Sequence, residues 1–382
     1  MTIVLRRFLL ALTSSALAAT AARADAPLPC GDPGWHGGAV PAGLEAMAWR
    51  GDAFVASDGR RALLLAPDGA VRAEVALPDG VSASSVAAVG AAGARGFWVV
   101  GGGASPRTMW FGRVAESERG LRVAASASVE VEVGGEIHDA EGDGRGGLIA
   151  VGLHNPVVSK VTHAWIVGLD GDGTKRFERR LGTGYSIFTD LFRSPTSPRE
   201  WVAIGAAKPD GYVPLTVRFD DGGKVVDQIM GLANETHLDV GAWQQSTYTP
   251  SYAIASGGGL TFIGTGPSGT QQVVWLERVD RALVRQRLLP LALGREAAAV
   301  SRPIAIAGGI AFVALTGPLD GDEHRDVLVR LGDDAKARLT PLDLDLPGRG
   351  DDASTPLASD GERVALLQIR STPEPGWRCV WR

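Results

Sequence analysis

The chain has 382 residues, of which 45% are hydrophobic and 21% charged, and its formal net charge is −5 at pH 7. These values are typical of a folded globular protein and exclude a disordered or collagen-like chain. The acidic balance, without any Lys/Arg cluster, argues against nucleic acid and anionic membrane surfaces as partners. The 51 glycines show no three-residue period, which indicates many tight turns between short strands.

Residues 1–24 are predicted to be an export signal. Arg6 and Arg7 form its positive end, Phe8–Ala19 its apolar stretch, and Ala22-Arg23-Ala24 its small-x-small cleavage pattern. The general secretory route is favoured over the twin-arginine route. Cleavage removes three arginines and no acids, so the charge of −5 becomes −8. No later apolar run reaches the 18 or so residues of a membrane span, so we expect an exported chain in the periplasm or outside the cell.

A short apolar core, usually opened by Gly or Asp-Gly, recurs along the rest of the chain. The seven cores are Ala53–Val55, Phe97–Val100, Leu148–Val151, Trp201–Ile204, Leu260–Ile263, Ile310–Val313 and Val364–Leu367. A second apolar strand follows each of the first six after a polar loop, and several second strands end in Asp and Gly, a hairpin signal. The alternating runs Val129–Val133 and Leu342–Leu346 are predicted as outer strands.

The spacing of these cores is about 50 residues, the length of one four-stranded blade. We therefore predict an all-β fold with one domain over residues 25–382. Its expected architecture is a seven-bladed β-propeller of four-stranded antiparallel blades, although weak repeats leave six or eight blades open. The last unit is short, and we expect the segment Asp25–Val40 to supply its missing strand, so that strands from the two termini close the ring.

The chain has only two cysteines, Cys30 and Cys379, one near each end. Ring closure would bring them together, and export would place them in an oxidising compartment. The sequence therefore predicts a Cys30–Cys379 disulfide, the alternative being two buried free thiols.

The unit from Gly146 to Gly182 carries a resemblance to a known class of repeat. Gly146-Gly147-Leu148 to Gly152, then Ala164–Val167, then Leu169-Asp170 to Gly173 resemble the repeats of bacterial secreted β-propeller proteins. Those repeats typically place Trp in the following strand, where this chain has Phe177. Kelch propellers are a weaker comparison, because their double glycine ends the strand rather than preceding it. The resemblance implies a propeller fold and no particular activity.

Candidate site residues are those predicted to line the central channel, together with one long junction. The innermost strand of each blade precedes the glycine-led core, and loops entering it pave one face of the ring. Residues of these strands that suit polar ligands are His138, Asp139, Asp190 and Arg302. The junction between Met230 and Ser251 is longer than the others and contributes His237, Asp239, Trp243 and Tyr248, an aromatic and polar mixture that suits sugar or peptide.

Sequence motifs for nucleophilic catalysis, phosphate binding, metal binding and cofactor binding are missing. We therefore predict no catalytic residue, no metal site and no cofactor. The first functional hypothesis is a non-enzymatic, monomeric binding or interaction module whose loop face takes a protein, peptide or glycan. The alternative is a secreted hydrolase or lyase that acts on carbohydrate through channel-facing acids and His138. Two carboxylates near each other at the channel mouth would favour the alternative, whereas dispersed or ion-paired acids would disfavour it.

Overall fold

The computed structural model describes residues 34–36, most of 44–230 and, between 249 and 380, mainly the strands. Within these ranges the chain forms strands and turns without helices, which confirms the all-β prediction. No helix in the described part of the chain is long and apolar enough to cross a membrane.

The strands fall into seven sheets in the described residues, which we call units 1 to 7. Unit 1 contains β2 Ala46–Trp49, β3 Phe54–Ser57, β4 Arg61–Leu65 and β5 Val71–Ala76. Unit 2 contains β6 Ser82–Ala88, β7 Gly96–Gly102, β8 Thr108–Ser117 and β9 Gly120–Glu130. Unit 3 contains β10 Glu136–Gly142, β11 Leu148–His154, β12 His163–Leu169 and β13 Lys175–Leu181. Unit 4 contains β14 Tyr185–Arg193, β15 Glu200–Lys208, β16 Val213–Asp220 and β17 Val225–Met230.

The last three units follow the same plan with two departures. Unit 5 contains β18 Thr249–Ser256, β19 Gly259–Ser268, β20 Gln271–Val279 and β21 Arg285–Leu291. Unit 6 contains β22 Ala297–Val300, β23 Ile304–Ile306, β24 Gly309–Thr316, β25 Arg325–Gly332 and β26 Ala337–Leu342; β22 and β23 both pair with β24. Unit 7 contains β27 Leu357–Ser359, β28 Val364–Gln368 and β29 Gly376–Val380, and β1 Gly34–His36 lies beside β29 at its edge.

Each unit is antiparallel and its strands pair in chain order, apart from the two departures just given. The apolar cores predicted from the sequence are the second strands of the sheets. The outer strands begin earlier than the sequence predicted, since β9 starts at Gly120 and β26 at Ala337. In the first residues of these strands, small or charged side chains alternate with other types. The alternation of hydrophobic and polar residues that predicts a strand is therefore weak there.

The hydrophobic core lies between neighbouring sheets. On β11, Leu148 and Ala150 pack into a cluster shared with unit 2, whereas Ile149 and Val151 pack into one shared with unit 4. Successive side chains of a strand point to opposite faces, so a strand that is covered on both sides needs apolar residues at every position. This burial explains why the second strands are continuous apolar runs rather than alternating ones.

The Asp-Gly segments predicted as hairpin turns are turns in the structure. Asp170 N donates to Thr174 O at 2.9 Å, and Asp220 N donates to Lys224 O at 3.0 Å. The same bond joins Ala66 N and Ala70 O in unit 1, at 2.7 Å. The same backbone hydrogen bond therefore joins the ends of the connection between the third and fourth strands in units 1, 3 and 4.

Candidate functional site

The structure places three of the predicted site residues on the first strands of units 3 and 4. His138 and Asp139 lie on β10, and Asp190 lies on β14. The remaining predicted binding residues lie outside the described residues; they are His237, Asp239, Trp243, Tyr248 and Arg302. Cys30 also lies outside them, and Cys379 is described only as a backbone position on β29 opposite Gly34, so the disulfide stays a prediction.

A β-bulge interrupts the first strand of five units; it has the same register in units 2 to 5, and in unit 6 it lies two residues further along the second strand. The extra residue is His138 on β10, between Ile137 opposite Gly152 and Asp139 opposite Val151. The equivalent extra residues are Ser84, Thr189, Ser251 and Ala298. A bulge bends its strand and re-aims side chains, and bulges are frequent beside functional sites. In β10 the two neighbouring residues at the bulge differ in exposure: His138 is exposed and Asp139 is buried.

The bulge accounts for the glycine that ends the apolar core. A Cβ at Gly152 would overlap the carbonyl oxygen of Glu136, one residue before Ile137. Gly101 and Gly205 meet Ser82 O and Ile187 O in the same way. These glycines are thus required for close approach of two backbones rather than for a turn.

Asp139 and Asp190 meet at a single backbone amide. Asp139 Oδ2 accepts a hydrogen bond from Leu191 N at 2.8 Å, and Asp190 Oδ1 accepts one from the same nitrogen at 3.0 Å. Because both oxygens contact one nitrogen, the two carboxylates are close neighbours. Both residues are buried, at 8% and 0% exposure. The bond from Leu191 to Asp139 fastens the first strand of unit 4 to that of unit 3.

His138 has a different environment from these acids. Its Nε2 lies 3.6 Å from Glu136 Oε2, and the side chains of the two residues are 30% and 65% exposed. Both belong to the first three residues of β10. An imidazole and a carboxylate are therefore presented to solvent where this strand begins.

Strand ends define two faces of the molecule. In unit 3, β10 begins, β11 ends, β12 begins and β13 ends at one edge of the sheet. We call this edge and its counterparts the loop face, and the opposite edge the turn face. Hydrogen bonds align the loop-face edges of neighbouring units, since Ser186 N donates to Thr162 O at 2.8 Å and Ala83 N to Gly59 O at 3.0 Å. Glu136 and His138 lie at or near the loop face.

The turn face is held by charged side chains that join neighbouring units. Asp221 Oδ1 accepts from Trp201 Nε1 at 2.9 Å and from Arg193 Nη1 at 2.7 Å. The Arg193 guanidinium also stacks on the Trp201 ring, 3.8 Å from its centroid. Arg145 of unit 3 reaches Asp221 Oδ2 of unit 4 at 3.2 Å. This arrangement is a structural clamp, because each of its groups is bonded to another.

Asp143 is the second fixed acid of the turn face. Its Oδ1 accepts from Arg145 N at 2.8 Å and from Gly147 N at 2.9 Å, which shapes the turn between β10 and β11. Its Oδ2 accepts from Arg176 Nη1 at 3.0 Å, and the Asp143 side chain is 4% exposed. The carboxylate therefore closes a turn and neutralises a partly buried arginine at once.

The ion pairs and hydrogen bonds of Asp221 make the free energy of unfolding depend on pH. Burial raises the pKa of Asp221, but the hydrogen bonds from Trp201 and Arg193 and the nearby arginine charges outweigh it, so the pKa lies below its usual value. A carboxylate with a lowered folded-state pKa stabilises fully above its unfolded-state pKa, and the contribution is lost as pH falls through the folded value. In unfolding titrations from pH 7 to pH 2, we expect wild type to lose more stability below about pH 5 than Asp221→Asn. Exposed Asp227 provides the control, and an Asp227→Asn profile that matches Asp221→Asn would contradict this assignment.

Sequence reasoning missed the residues that join the units. Neither Asp143 nor Asp221 stands out in the sequence, because each precedes a glycine as an ordinary turn residue does. The repetition of Gly101, Gly152 and Gly205 at one register was the available signal. No sequence pattern indicates that Asp139 reaches an amide 52 residues away.

Comparison with solved structures decides the fold. The WD40 domain of Neurospora crassa Pan2 superposes with a TM-score of 0.51 at 11% identity, over 85% of this chain and 86% of that domain. The fold is that of a β-propeller. Sqt1 from Chaetomium thermophilum gives a TM-score of 0.49 at 13% identity, over 88% and 82% of the two chains. The propeller domain of the trilobed protease from Pyrococcus furiosus gives 0.40 at 10% identity, over 75% and 76%.

At these identities the likeness is one of fold alone. No protein-family model matches the sequence, and no curated protein matches it either. The first strands of units 1 to 5 contact one another in order, as the innermost strands of a propeller do.

Proposed function

We propose that the chain is an exported, monomeric propeller of seven blades that acts as a binding or interaction module through its loop face. In this proposal residues 1–24 are removed on export, β1 closes the ring, and the chain belongs with bacterial secreted propellers. The partner is a protein, peptide or glycan, and His138 belongs to the surface that meets it.

The contrast between the two faces carries this proposal. On the turn face the connections are short, and the same backbone hydrogen bond joins the third and fourth strands of units 1, 3 and 4. On the loop face the connections differ: β13 ends at Leu181 and β14 begins at Tyr185, whereas β17 ends at Met230 and β18 begins at Thr249. Loops on a rigid scaffold carry binding and catalysis more often than the scaffold does. Function therefore belongs to the face on which the units differ.

The positions of the acids favour binding over carbohydrate cleavage. Asp139 and Asp190 are close together, which is the observation that supports the hydrolase or lyase alternative. Catalytic carboxylates, however, must contact the substrate on both sides of the bond that breaks. These two residues are 8% and 0% exposed, and both accept a hydrogen bond from a backbone amide. Such acids serve the scaffold.

A thermal-shift screen of the chain from Asp25 tests the proposal, with cello- and chito-oligosaccharides, extended peptides, Ca²⁺ and Zn²⁺ as probes. We expect one class to raise Tm by a few degrees, because a ligand at about 100 times its Kd stabilises by roughly 2.7 kcal/mol. The rise should shrink in His138→Ala and persist in Arg145→Ala, a turn-face variant whose wild-type side chain is 68% exposed. A flat response to every probe would remove the small-ligand proposal, and release of reducing sugar would establish the alternative.

A further inference from the structure

The strand β1 is an unusual part of unit 7. It comes from the opposite end of the chain, and among the residues that the structure describes its one pairing neighbour is β29. The pairing covers three residues, Gly34 opposite Cys379, Trp35 opposite Arg378 and His36 opposite Trp377. A pairing of three residues at the edge of a sheet is held by few hydrogen bonds, so its opening costs less than that of the longer strands.

The sequence on either side of β1 is unfavourable for a long strand. Pro33 precedes Gly34, and proline donates no hydrogen bond to a strand ladder. Gly37 and Gly38 follow His36, and glycine in a strand interior weakens pairing through its larger loss of entropy. The flanking sequence thus favours a short strand.

The partner strand remains a template when β1 leaves. The five residues of β29 pair with β28 along their other side, from Gly376 opposite Gln368 to Val380 opposite Val364. Opening of β1 would therefore expose one edge of a strand whose other edge stays paired. Such an edge accepts an extended segment by strand addition.

We propose that, while Cys30 and Cys379 are thiols, this edge accepts β1 of a second copy of the chain, so that copies exchange their N-terminal strands and form swapped dimers at raised concentration. The exchanged strand makes the same pairs in the dimer as in the monomer, so its preference for the edge is unchanged and concentration decides between the two states. The proposal rests on the ring closure proposed above. It agrees with a monomer at low concentration.

Mixing of two differently tagged copies tests the exchange. Chains starting at Asp25 are mixed at raised concentration with reductant, so that Cys30 and Cys379 stay thiols, and mixed dimers are counted by native mass spectrometry. We expect their fraction to increase with concentration. A tenfold molar excess of a peptide of residues 31–40 should lower it about tenfold by competing for the β29 edge. A scrambled peptide should leave it unchanged.

Two results would overturn the exchange: monomers at every concentration, or mixed dimers that the peptide does not reduce. Direct binding gives a second measurement, since the labelled peptide should bind the full-length chain and the scrambled peptide should not. The readout is independent of the ligand screen. If the chain responds to a loop-face ligand but forms no mixed dimers, only the strand exchange is contradicted. If it forms mixed dimers but responds to no ligand, only the proposed binding function is contradicted.

Discussion

Gly101→Ala is expected to destabilise the protein by about 3 kcal/mol or more, although it adds only one methyl group to a strand. Gly101 lies opposite Ala83 on the residue pair that precedes the bulge of β6. An added Cβ would overlap Ser82 O and lie 2.5 Å from Ala83 Cα. Both obstacles are backbone atoms, so relief requires the bulge itself to move. Urea unfolding of the purified variant measures the loss.

The adjacent glycine supplies the control. A Cβ at Gly102 would meet nothing closer than Ser82 O at 4.0 Å. Gly102→Ala should therefore change the free energy of unfolding by no more than about 1 kcal/mol. Equal effects at the two positions would show that the bulge does not press on Gly101. Gly152→Ala and Gly205→Ala should repeat the result of Gly101→Ala in units 3 and 4.

Asp143→Ala is expected to cost about 3 kcal/mol, because one substitution removes the acceptor of two amides and the partner of a partly buried cation. Arg145 N and Gly147 N lose their shared acceptor, and Arg176 loses its hydrogen bond at 3.0 Å. Asp143→Asn retains an acceptor oxygen and should cost less. Thermal and urea unfolding of both variants measure the difference.

Asp170 offers a matched comparison, since it faces the same arginine from an exposed position. Its Oδ1 lies 3.6 Å from Arg176 Nη1, and its side chain is 52% exposed. Exposed ion pairs contribute little, so Asp170→Ala should cost at most about 1 kcal/mol. A loss at Asp170 as large as that at Asp143 would mean that the arginine charge, rather than the buried turn, sets the effect.

The all-β class and the repeated unit could be predicted from the sequence, because both depend on short-range patterns of residues. Strand β11 is apolar at each position from Leu148 to Val151, and the structure buries all four. The hairpin at Asp170–Thr174 follows from local turn chemistry. One four-stranded sheet needs about 50 residues, so the apolar cores recur at that spacing. This spacing predicted the β-propeller.

The contacts between units were not predictable, because they join residues far apart in the chain. The bond from Leu191 N to Asp139 depends on the bulge at His138, and a bulge leaves no pattern in hydrophobicity. The binding role predicted for Asp139 stays a prediction, and the structure adds that its carboxylate accepts a hydrogen bond from the next sheet. His138, the residue before it, is the one that reaches solvent. A shift of one position along a strand separates a scaffold residue from a surface residue.

The free energies of unfolding of Asp139→Ala and His138→Ala, measured side by side, test most directly whether Asp139 belongs to the scaffold. A buried acceptor that is removed costs about 2 kcal/mol, whereas an exposed surface side chain costs at most about 0.5 kcal/mol. We therefore predict a clear loss for Asp139→Ala and almost none for His138→Ala. Unchanged or increased stability of Asp139→Ala would contradict the account, because stability that rises when a buried acid is removed is typical of a functional site.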